Sequence, residues 1–232
     1  MKIIQMTFLV FATLLATSCQ SKTKKDTLSE NTAVEQEKPQ EIEKLSAQDL
    51  SKYETAYFAS GCFWCVEAIF ESVKGVKEAV SGYAGGTLEN PTYEAVSYGK
   101  TDHAEAVQVY YDPKEISFTQ LVQVFFGSHD PTQLNRQGPD RGTQYRSMAF
   151  YKTDEQKKII EGYMQALQDN NVYDGDPITT EVAPYTTFYK AEEYHQDYER
   201  KNPNNSYIRN VSIPRLNRFK ENFGDYLKEG AH

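Results

Sequence analysis

Two cysteines three positions apart have the clearest potential for chemistry in this sequence. Cys62 and Cys65 enclose Phe63 and Trp64, the chain's single tryptophan. Cys62 follows the apolar stretch 55–59, which predicts a strand, and it precedes apolar residues at helical spacing. A thiol at a helix start lies near free backbone N–H groups and the positive end of the helix dipole, and both favour the thiolate. We therefore predict that Cys62 is a nucleophile.

The N-terminus carries the pattern of a bacterial lipoprotein signal. Lys2 precedes the mostly apolar run 3–16, which is too short to span a bilayer comfortably, and small residues lead from there to Cys19. We expect residues 1–18 to be a signal peptide and Cys19 to be the lipid-modified first residue. The protein would then be anchored to a bacterial membrane in the cell envelope, on its periplasmic or surface side. The alternatives are an ordinary signal peptide with an incidental cysteine, or an uncleaved anchor.

The segment after this signal is too polar to fold alone. Residues 20–52 contain no aromatic residue and few large apolar ones, so they cannot bury enough surface to offset the entropy of ordering. We predict a flexible tether over 19–52, with a fraying helix possible near its end, and a folded domain over 53–232. The formal net charge of −8 argues against a nucleic-acid-binding surface.

The elements that must position Cys62 follow from hydrophobic periodicity and capping signals. Strands are predicted at 53–59, 76–83, 104–111, 144–151 and 179–183. Helices are predicted from Cys62 to Gly75, at 91–98, 117–127, 153–169 and 191–200, and around Leu216 to Leu227, with a loop over 130–143. Because strands and helices mix without a strict βαβ repeat, we predict an α+β fold. Its expected form is a two-layer sandwich, in which helices pack on a mixed, mainly antiparallel sheet.

Several runs of residues, in order and spacing, resemble one family, the peptide-methionine (S)-S-oxide reductases (the A-type methionine sulfoxide reductases). These runs are Gly61-Cys62-Phe63-Trp64, Gly82-Tyr83-Ala84-Gly85-Gly86, Asn90-Pro91-Thr92-Tyr93, 99–107 around His103-Ala104-Glu105-Ala106, His129-Asp130-Pro131-Thr132-Gln133, 136–147, and Ala191-Glu192-Glu193-Tyr194-His195-Gln196. The resemblance covers the chain from about Tyr53 to at least Pro203.

The resemblance implies a role for each matching residue. In this family a thiolate attacks the sulfoxide sulfur, methionine leaves and the cysteine becomes a sulfenic acid. Cys62 would be that nucleophile, and Glu105 would bind and protonate the sulfoxide oxygen, which requires a raised pKa. The remaining positions would form the substrate site: Tyr93 and Tyr145 as donors to the oxygen, Asp140 in support, and Phe63 and Trp64 as the pocket for the methyl group.

The sequence departs from many members of this family because no cysteine follows Cys65. We therefore infer that Cys65 resolves the Cys62 sulfenic acid as a disulfide, which a thioredoxin-like reductant would open. The alternative is that an external thiol resolves it and that Cys65 is only packed away. Oxidised proteins or peptides carrying methionine sulfoxide would be the substrates, which the enzyme would repair after oxidative stress. We expect the enzyme to be a monomer.

Other interpretations explain less of the sequence. A thioredoxin-type disulfide oxidoreductase shares the CxxC motif but leaves Glu105 and the run 138–147 unexplained. A non-catalytic surface lipoprotein would be expected to have lost some polar site groups, and none is missing. No metal and no organic cofactor is implied, since one CxxC without a second pair is weak evidence for zinc. His129 and His195 are predicted to be structural.

Overall fold

The structure, a computed structural model, describes residues 45–230. The predicted signal peptide 1–18, Cys19 and most of the predicted tether 19–52 lie outside the described residues. The described end of that tether forms one helical turn, α1 (Ala47–Leu50), whose N-cap Ser46 accepts a hydrogen bond from the backbone N–H of Asp49. Across residues 45–230, no helix has the length and apolar character needed to cross a membrane.

Six strands of the described domain form one curled sheet, with helices between them. The strands are β1 (Glu54–Ser60), β2 (Val76–Ala84), β3 (Ala104–Tyr111), β6 (Ser147–Tyr151), β7 (Glu181–Pro184) and β8 (Phe188–Lys190), with a separate small pair, β4 (Arg136–Gln137) and β5 (Asp140–Arg141). The helices are α2 (Phe63–Glu71), α3 (Tyr93–Ser97), α4 (Phe118–Gly127), α5 (Asp154–Asp169), α6 (Tyr198–Lys201) and α7 (Ile213–Asn222). The sheet order is β7-β6-β1-β3-β2-β8, and every pairing is antiparallel except β6 with β7. The predicted α+β fold with a mixed, mainly antiparallel sheet is confirmed.

The main core lies between the sheet and helices α2 and α4. Phe58 on β1 stacks between Phe70 of α2 and Phe125 of α4, with ring centroids 5.2 and 5.0 Å apart. Helix α4 begins at the predicted capping box, in which Ser117 and Gln120 satisfy each other's backbone N–H groups. The opposite face of the sheet carries a smaller apolar cluster around Tyr57 and Phe150. This packing fixes β1 and β3, the two strands that lead to the predicted site.

The predicted helix over 191–200 is wrong as a single element. A 3₁₀ turn (Glu193–His195) and α6 are separated at Asp197, whose φ is +56°. The Gln196 side chain accepts from the Ser81 N–H and donates to the Ser81 carbonyl, both at 3.0 Å, and so extends the edge of the sheet. These tertiary bonds outweigh the local helical pattern. Strand β8, which pairs beside them, was not predicted from the sequence.

The C-terminal helix is shorter than its apolar pattern predicts. It ends at Asn222 and is followed by a 3₁₀ turn, after which Leu227 pairs with Val73 in an isolated bridge. A π-helical stretch (Ile208–Ser212) leads directly into α7. The predicted loop 130–143 contains the β4–β5 pair, and the predicted strand 144–151 begins only at Ser147, after a 3₁₀ turn.

Candidate active site

The two cysteines lie at the junction between β1 and α2, as predicted. Gly61 makes the turn with a φ of +88°, and an added Cβ there would lie 2.6 Å from the Gln137 side chain. Cys62 is the N-cap of α2, and its carbonyl accepts from the backbone N–H groups of Cys65 and Val66 at 3.2 and 3.3 Å. Both residues are free thiols, with Cys62 6% exposed and Cys65 2% exposed. The pair therefore occupies the first helical turn, and both residues are buried.

The pKa values of the two thiols are shifted in opposite directions. Burial raises the pKa of the Cys62 thiol well above its usual value, and Cys65 and Glu105 raise it further. The pKa of Cys65 falls to about 7, first because the Cys62 side chain hydrogen-bonds to it, and then because Arg215, Ser212 and Tyr207 favour its negative charge. The expectation that the helix start leaves Cys62 as the resting thiolate is therefore wrong for the reduced pair, because desolvation outweighs the helix. Of the two thiols, Cys65 is the one whose surroundings favour the thiolate.

Glu105 lies on β3, with its carboxyl against the start of α2. It is 1% exposed, and its Oε2 accepts from the backbone N–H of Phe63 at 3.1 Å. Burial raises the pKa of Glu105 to about 8, and the charges of Asp140 and Cys65 push it in the same direction, while the Phe63 N–H opposes them. At neutral pH the carboxyl is therefore mostly protonated, as a proton donor to a sulfoxide oxygen must be.

Aromatic rings surround this carboxyl and the two thiols. The Phe63 ring centroid lies 6.2 Å from that of Trp64, 6.3 Å from that of Tyr93 and 5.0 Å from that of His195. The Trp64 indole N–H donates to His195 Nδ1 at 3.1 Å, and the indole stacks on Tyr198 with centroids 3.8 Å apart. These contacts hold the ring of Trp64 in place. His195 thus orients the Trp64 ring in the aromatic wall of the site. The other histidine predicted to be structural, His129, bonds to the Phe125 carbonyl and the Ser147 hydroxyl, both at 2.8 Å.

The predicted oxygen donors Tyr93 and Tyr145 belong to the same electrostatic neighbourhood. Burial raises the pKa of Tyr93 to about 12, and the charges of Glu105 and Cys62 contribute. The pKa of Tyr145 is also raised, first by burial and then by the same two groups. Both phenols therefore remain protonated and able to donate. Tyr93 is held at the start of α3, where its backbone N–H donates to Glu192 Oε1 at 2.9 Å.

Asp140 lies on the Cys65 side of the site. Its Oδ2 accepts a 2.5 Å hydrogen bond from the hydroxyl of Tyr207, and that hydroxyl lies 3.8 Å from Cys65 Sγ. Burial raises the pKa of Asp140. The amino-acid sequence contains no signal for Tyr207, which is one of 17 tyrosines and lies 142 positions from Cys65. It contains none for Arg215 either.

A separate acidic cluster lies behind α2. Carboxylate oxygens of Glu67, Glu71 and Asp197 come within 4.8 Å of one another. Arg200 and Lys201 form ion pairs with Asp197, and Arg200 also lies 3.6 Å from Glu71. Burial raises the pKa of Glu67 well above its usual value. Cationic side chains already balance the charge of this cluster, so it makes a poor cation site.

Comparison with known proteins decides between the interpretations of this site. The family model described as "Peptide methionine sulfoxide reductase" matches residues 54–227. The chain belongs to the peptide methionine sulfoxide reductase family. The enzyme MsrA 1 of Rhodopirellula baltica is 51% identical over 175 residues, which are 75% of this chain and 90% of that protein. MsrA of Haloquadratum walsbyi is 51% identical over 174 residues, which are 75% of this chain and 98% of that protein.

A solved structure agrees with this assignment. Mxr1 from Saccharomyces cerevisiae, in reduced form, superposes with a TM-score of 0.59 at 37% identity over 66% of this chain and 87% of that protein. The chain is therefore a peptide methionine sulfoxide reductase, which reduces methionine sulfoxide with thiols. A reductase of this kind needs a nucleophilic sulfur, an acid for the departing oxygen and an apolar pocket for the methyl group. The junction of β1, α2 and β3 brings those groups together.

Proposed function

We propose that Cys62 is the nucleophile and Glu105 the proton donor for reduction of methionine (S)-sulfoxide. The observation that carries this assignment is the buried, protonated Glu105 carboxyl, bound to the backbone N–H that follows Cys62. Cys62 is also the more exposed of the two thiols, at 6% against 2% for Cys65. A sulfoxide whose oxygen is bound by the Glu105 carboxyl lies beside Cys62, at the N-cap of α2.

The reaction balances with these two groups. Cys62 loses its proton as its sulfur attacks the sulfoxide sulfur, and Glu105 protonates the sulfoxide oxygen. The substrate S–O bond and the transient bond between the two sulfurs then break as the oxygen passes to Cys62, which is left as a sulfenic acid. Two electrons have then passed from the Cys62 sulfur to the substrate, which leaves as methionine. The raised pKa of Cys62 means that its proton leaves to water during the attack rather than before it.

We infer that selection between epimers comes from a donor side and an apolar side of the site. Tyr93, Tyr145 and Glu105 offer hydrogen-bond donors to an oxygen, whereas Phe63 and Trp64 offer an apolar wall to a methyl group. A chiral sulfur that places its oxygen and methyl group on these sides presents one epimer to Cys62. We infer that this is the S epimer, in free methionine sulfoxide or in proteins.

Cys65 then resolves the sulfenic acid. Its pKa of about 7 makes it partly thiolate at neutral pH, and it lies in the same helical turn as Cys62. Attack on Cys62 Sγ forms the disulfide and releases water. A thioredoxin-like dithiol would reopen the disulfide through the more exposed sulfur, that of Cys62. All of these residues come from one chain, so the site is complete in a monomer.

The Cys65→Ser variant separates resolution from the first step. Dithiothreitol is a small thiol that reduces a sulfenic acid directly, so turnover driven by it should stay within about threefold of the unaltered enzyme. Turnover driven by a thioredoxin system should fall by about 100-fold or more, because the macromolecular dithiol meets no disulfide. Steady-state rates with both reductants check this, and Cys65→Ala serves as a second variant. Full thioredoxin-driven turnover in both variants would mean that an external thiol resolves Cys62.

We further propose that the protein is anchored in the bacterial cell envelope by a lipid on Cys19. The support is the Lys2 start, the apolar run 3–16 and the small residues before this cysteine. The enzyme would then repair oxidised envelope proteins, with electrons from a thioredoxin-like protein on that side of the membrane. In cells, Cys19→Ala should abolish labelling by a radioactive fatty acid and move the protein out of the membrane fraction. An unchanged distribution, without labelling of the unaltered protein, would contradict the anchor.

A further inference from the structure

Arg215 is a buried cation at the junction that presents the two cysteines. It lies on α7 and is 8% exposed. Its Nε donates to the Ser128 carbonyl at 2.8 Å, and its Nη2 donates to the Ser60 hydroxyl at 3.2 Å. A Cβ added to Gly61 would lie 3.4 Å from Nη1. The guanidinium therefore lies against the two residues that immediately precede Cys62.

The charge of Arg215 has no carboxylate partner at ion-pair distance. Within the described part of the chain, none of the ion pairs closer than 4 Å involves it. The groups that it does hydrogen-bond, Ser128 and Ser60, are neutral. A buried cation is costly unless an anion compensates it. An anion is therefore expected close to this guanidinium.

Two groups near this guanidinium can carry the compensating negative charge, the Asp140 carboxylate and the thiolate of Cys65. The C-terminal stretch 207–215 supplies both the Tyr207 hydroxyl, 3.8 Å from Cys65 Sγ, and Arg215. The charge of Arg215 lowers the pKa of Cys65, and Ser212 from the same stretch acts in the same direction. The other charged or titratable groups around Cys65 and Arg215 are Cys62, Glu105, Asp140 and His129. Burial raises the pKa of Asp140 while Tyr207 and the Arg215 charge oppose that rise, and burial lowers the pKa of His129 to about 3. At neutral pH Glu105 is mostly protonated and His129 is neutral.

We propose that Arg215 is a positioning residue that holds Cys65 as a thiolate, both when Cys65 attacks and when it leaves. This inference rests on the proposed role of Cys65 as the resolving thiol. Arg215 does not belong to the family motif around Cys62. It lies near the far end of the chain and acts on the second cysteine, Cys65.

The charge of Arg215 acts at two chemical steps, resolution and recycling. In resolution, the Cys65 thiolate attacks Sγ of the Cys62 sulfenic acid, the S–S bond forms, the S–O bond breaks, and the departing hydroxide takes a proton from solvent to become water. In recycling, a thiolate of the reductant attacks Cys62 Sγ, and the S–S bond breaks with its electron pair on Cys65. A thiol of lower pKa leaves faster, so a cation beside Cys65 favours this second step as well.

Three variants separate this chemical role from a packing role. Arg215→Met removes the charge and keeps the length of the side chain, Arg215→Lys keeps the charge but cannot reproduce both hydrogen bonds, and Arg218→Met removes the same charge from an exposed position of α7. Each enzyme is mixed with a single equivalent of methionine (S)-sulfoxide peptide without reductant. Methionine formed and the Cys62–Cys65 disulfide are then followed across pH by rapid quench and mass spectrometry.

We expect Arg215→Met to form methionine in full yield but to close the disulfide about threefold to fivefold more slowly at pH 7, because a pKa raised by about one unit leaves less thiolate. Its rate should approach that of the unaltered enzyme as the pH rises, so the acid limb of the profile moves upward. Arg215→Lys should restore the profile, and Arg218→Met should match the unaltered enzyme. Thioredoxin-driven reopening of the disulfide should also slow in Arg215→Met alone.

Two outcomes would overturn the inference. Identical rates and pH profiles in Arg215→Met and the unaltered enzyme would show that the charge of Arg215 has no part in the mechanism. Slowing in Arg215→Lys and Arg215→Met alike, with no shift of the acid limb, would reduce Arg215 to an anchor for α7. If the unaltered enzyme formed methionine without any Cys62–Cys65 disulfide, the proposed role of Cys65 would fail instead, and the two failures are therefore distinguishable.

Discussion

Replacing Cys62 with serine is expected to abolish methionine formation, whether dithiothreitol or a thioredoxin system supplies the electrons. The loss should be about 10⁴-fold or more, because a serine hydroxyl at the same N-cap is neither acidic nor soft enough to attack a sulfoxide sulfur. No sulfenic acid should be trapped in this variant. Steady-state assays with both reductants, together with a sulfenic acid probe in single turnover, check the prediction.

The comparison with Cys65→Ser makes this test decisive, since Cys65 is the more acidic thiol of the resting pair. A pKa of about 7 at Cys65 would favour it as the attacking sulfur if acidity alone decided the matter. Cys65 is nearly inaccessible, however, and the Glu105 carboxyl is bonded to the backbone N–H next to Cys62. Turnover with dithiothreitol in Cys62→Ser but not in Cys65→Ser would exchange the two roles.

Replacing Glu105 with glutamine is expected to have the second large effect on methionine formation. Glutamine keeps the shape and can donate a hydrogen bond, but it cannot give up a proton, so single-turnover methionine formation should fall by about 10²- to 10⁴-fold. The exposed Glu221→Gln serves as the matched control. If Glu105→Gln kept more than about a tenth of the rate, proton donation by this carboxyl would be excluded as a major contribution.

The pH dependence of methionine formation shows whether Glu105 acts in its protonated form. Its active form is protonated, and burial sets its pKa near 8, so methionine formation should be constant below that value and fall as pH rises through it. In Glu105→Gln the slow residual rate should lack this alkaline limb. Single-turnover rates between pH 6 and 10 measure both profiles. An unaltered enzyme that lost activity on acidification through pH 8 would have Glu105 acting as a base.

Much of this site could be predicted because its signals are local. The Ser117 capping box, the glycine turn before Cys62 and the alternation of β3 each specify an element from adjacent residues. The expected site residues then came together because β1 and β3 are neighbours in the sheet. Local patterns failed at 191–200, where Gln196 bonds to the Ser81 backbone and Asp197 takes a left-handed conformation.

The ionisation of the thiols and the contribution of the C-terminal stretch could not be predicted for a related reason. A helix start favours a thiolate, but how much burial opposes it depends on everything packed above Cys62. Tyr207 and Arg215 approach Cys65 from more than 140 positions away in the chain, and neither belongs to a recognisable motif. Such contacts exist only once α7 has packed against α2.

The most direct test of this account is the covalent state of the enzyme after a single turnover. Reduced protein is mixed with an equimolar (S)-sulfoxide peptide in the absence of any reductant, quenched in acid and alkylator, and mapped by mass spectrometry. We predict one methionine released per enzyme, and a disulfide joining Cys62 to Cys65. Methionine release that leaves Cys65 a free thiol and Cys62 a persistent sulfenic acid would contradict it.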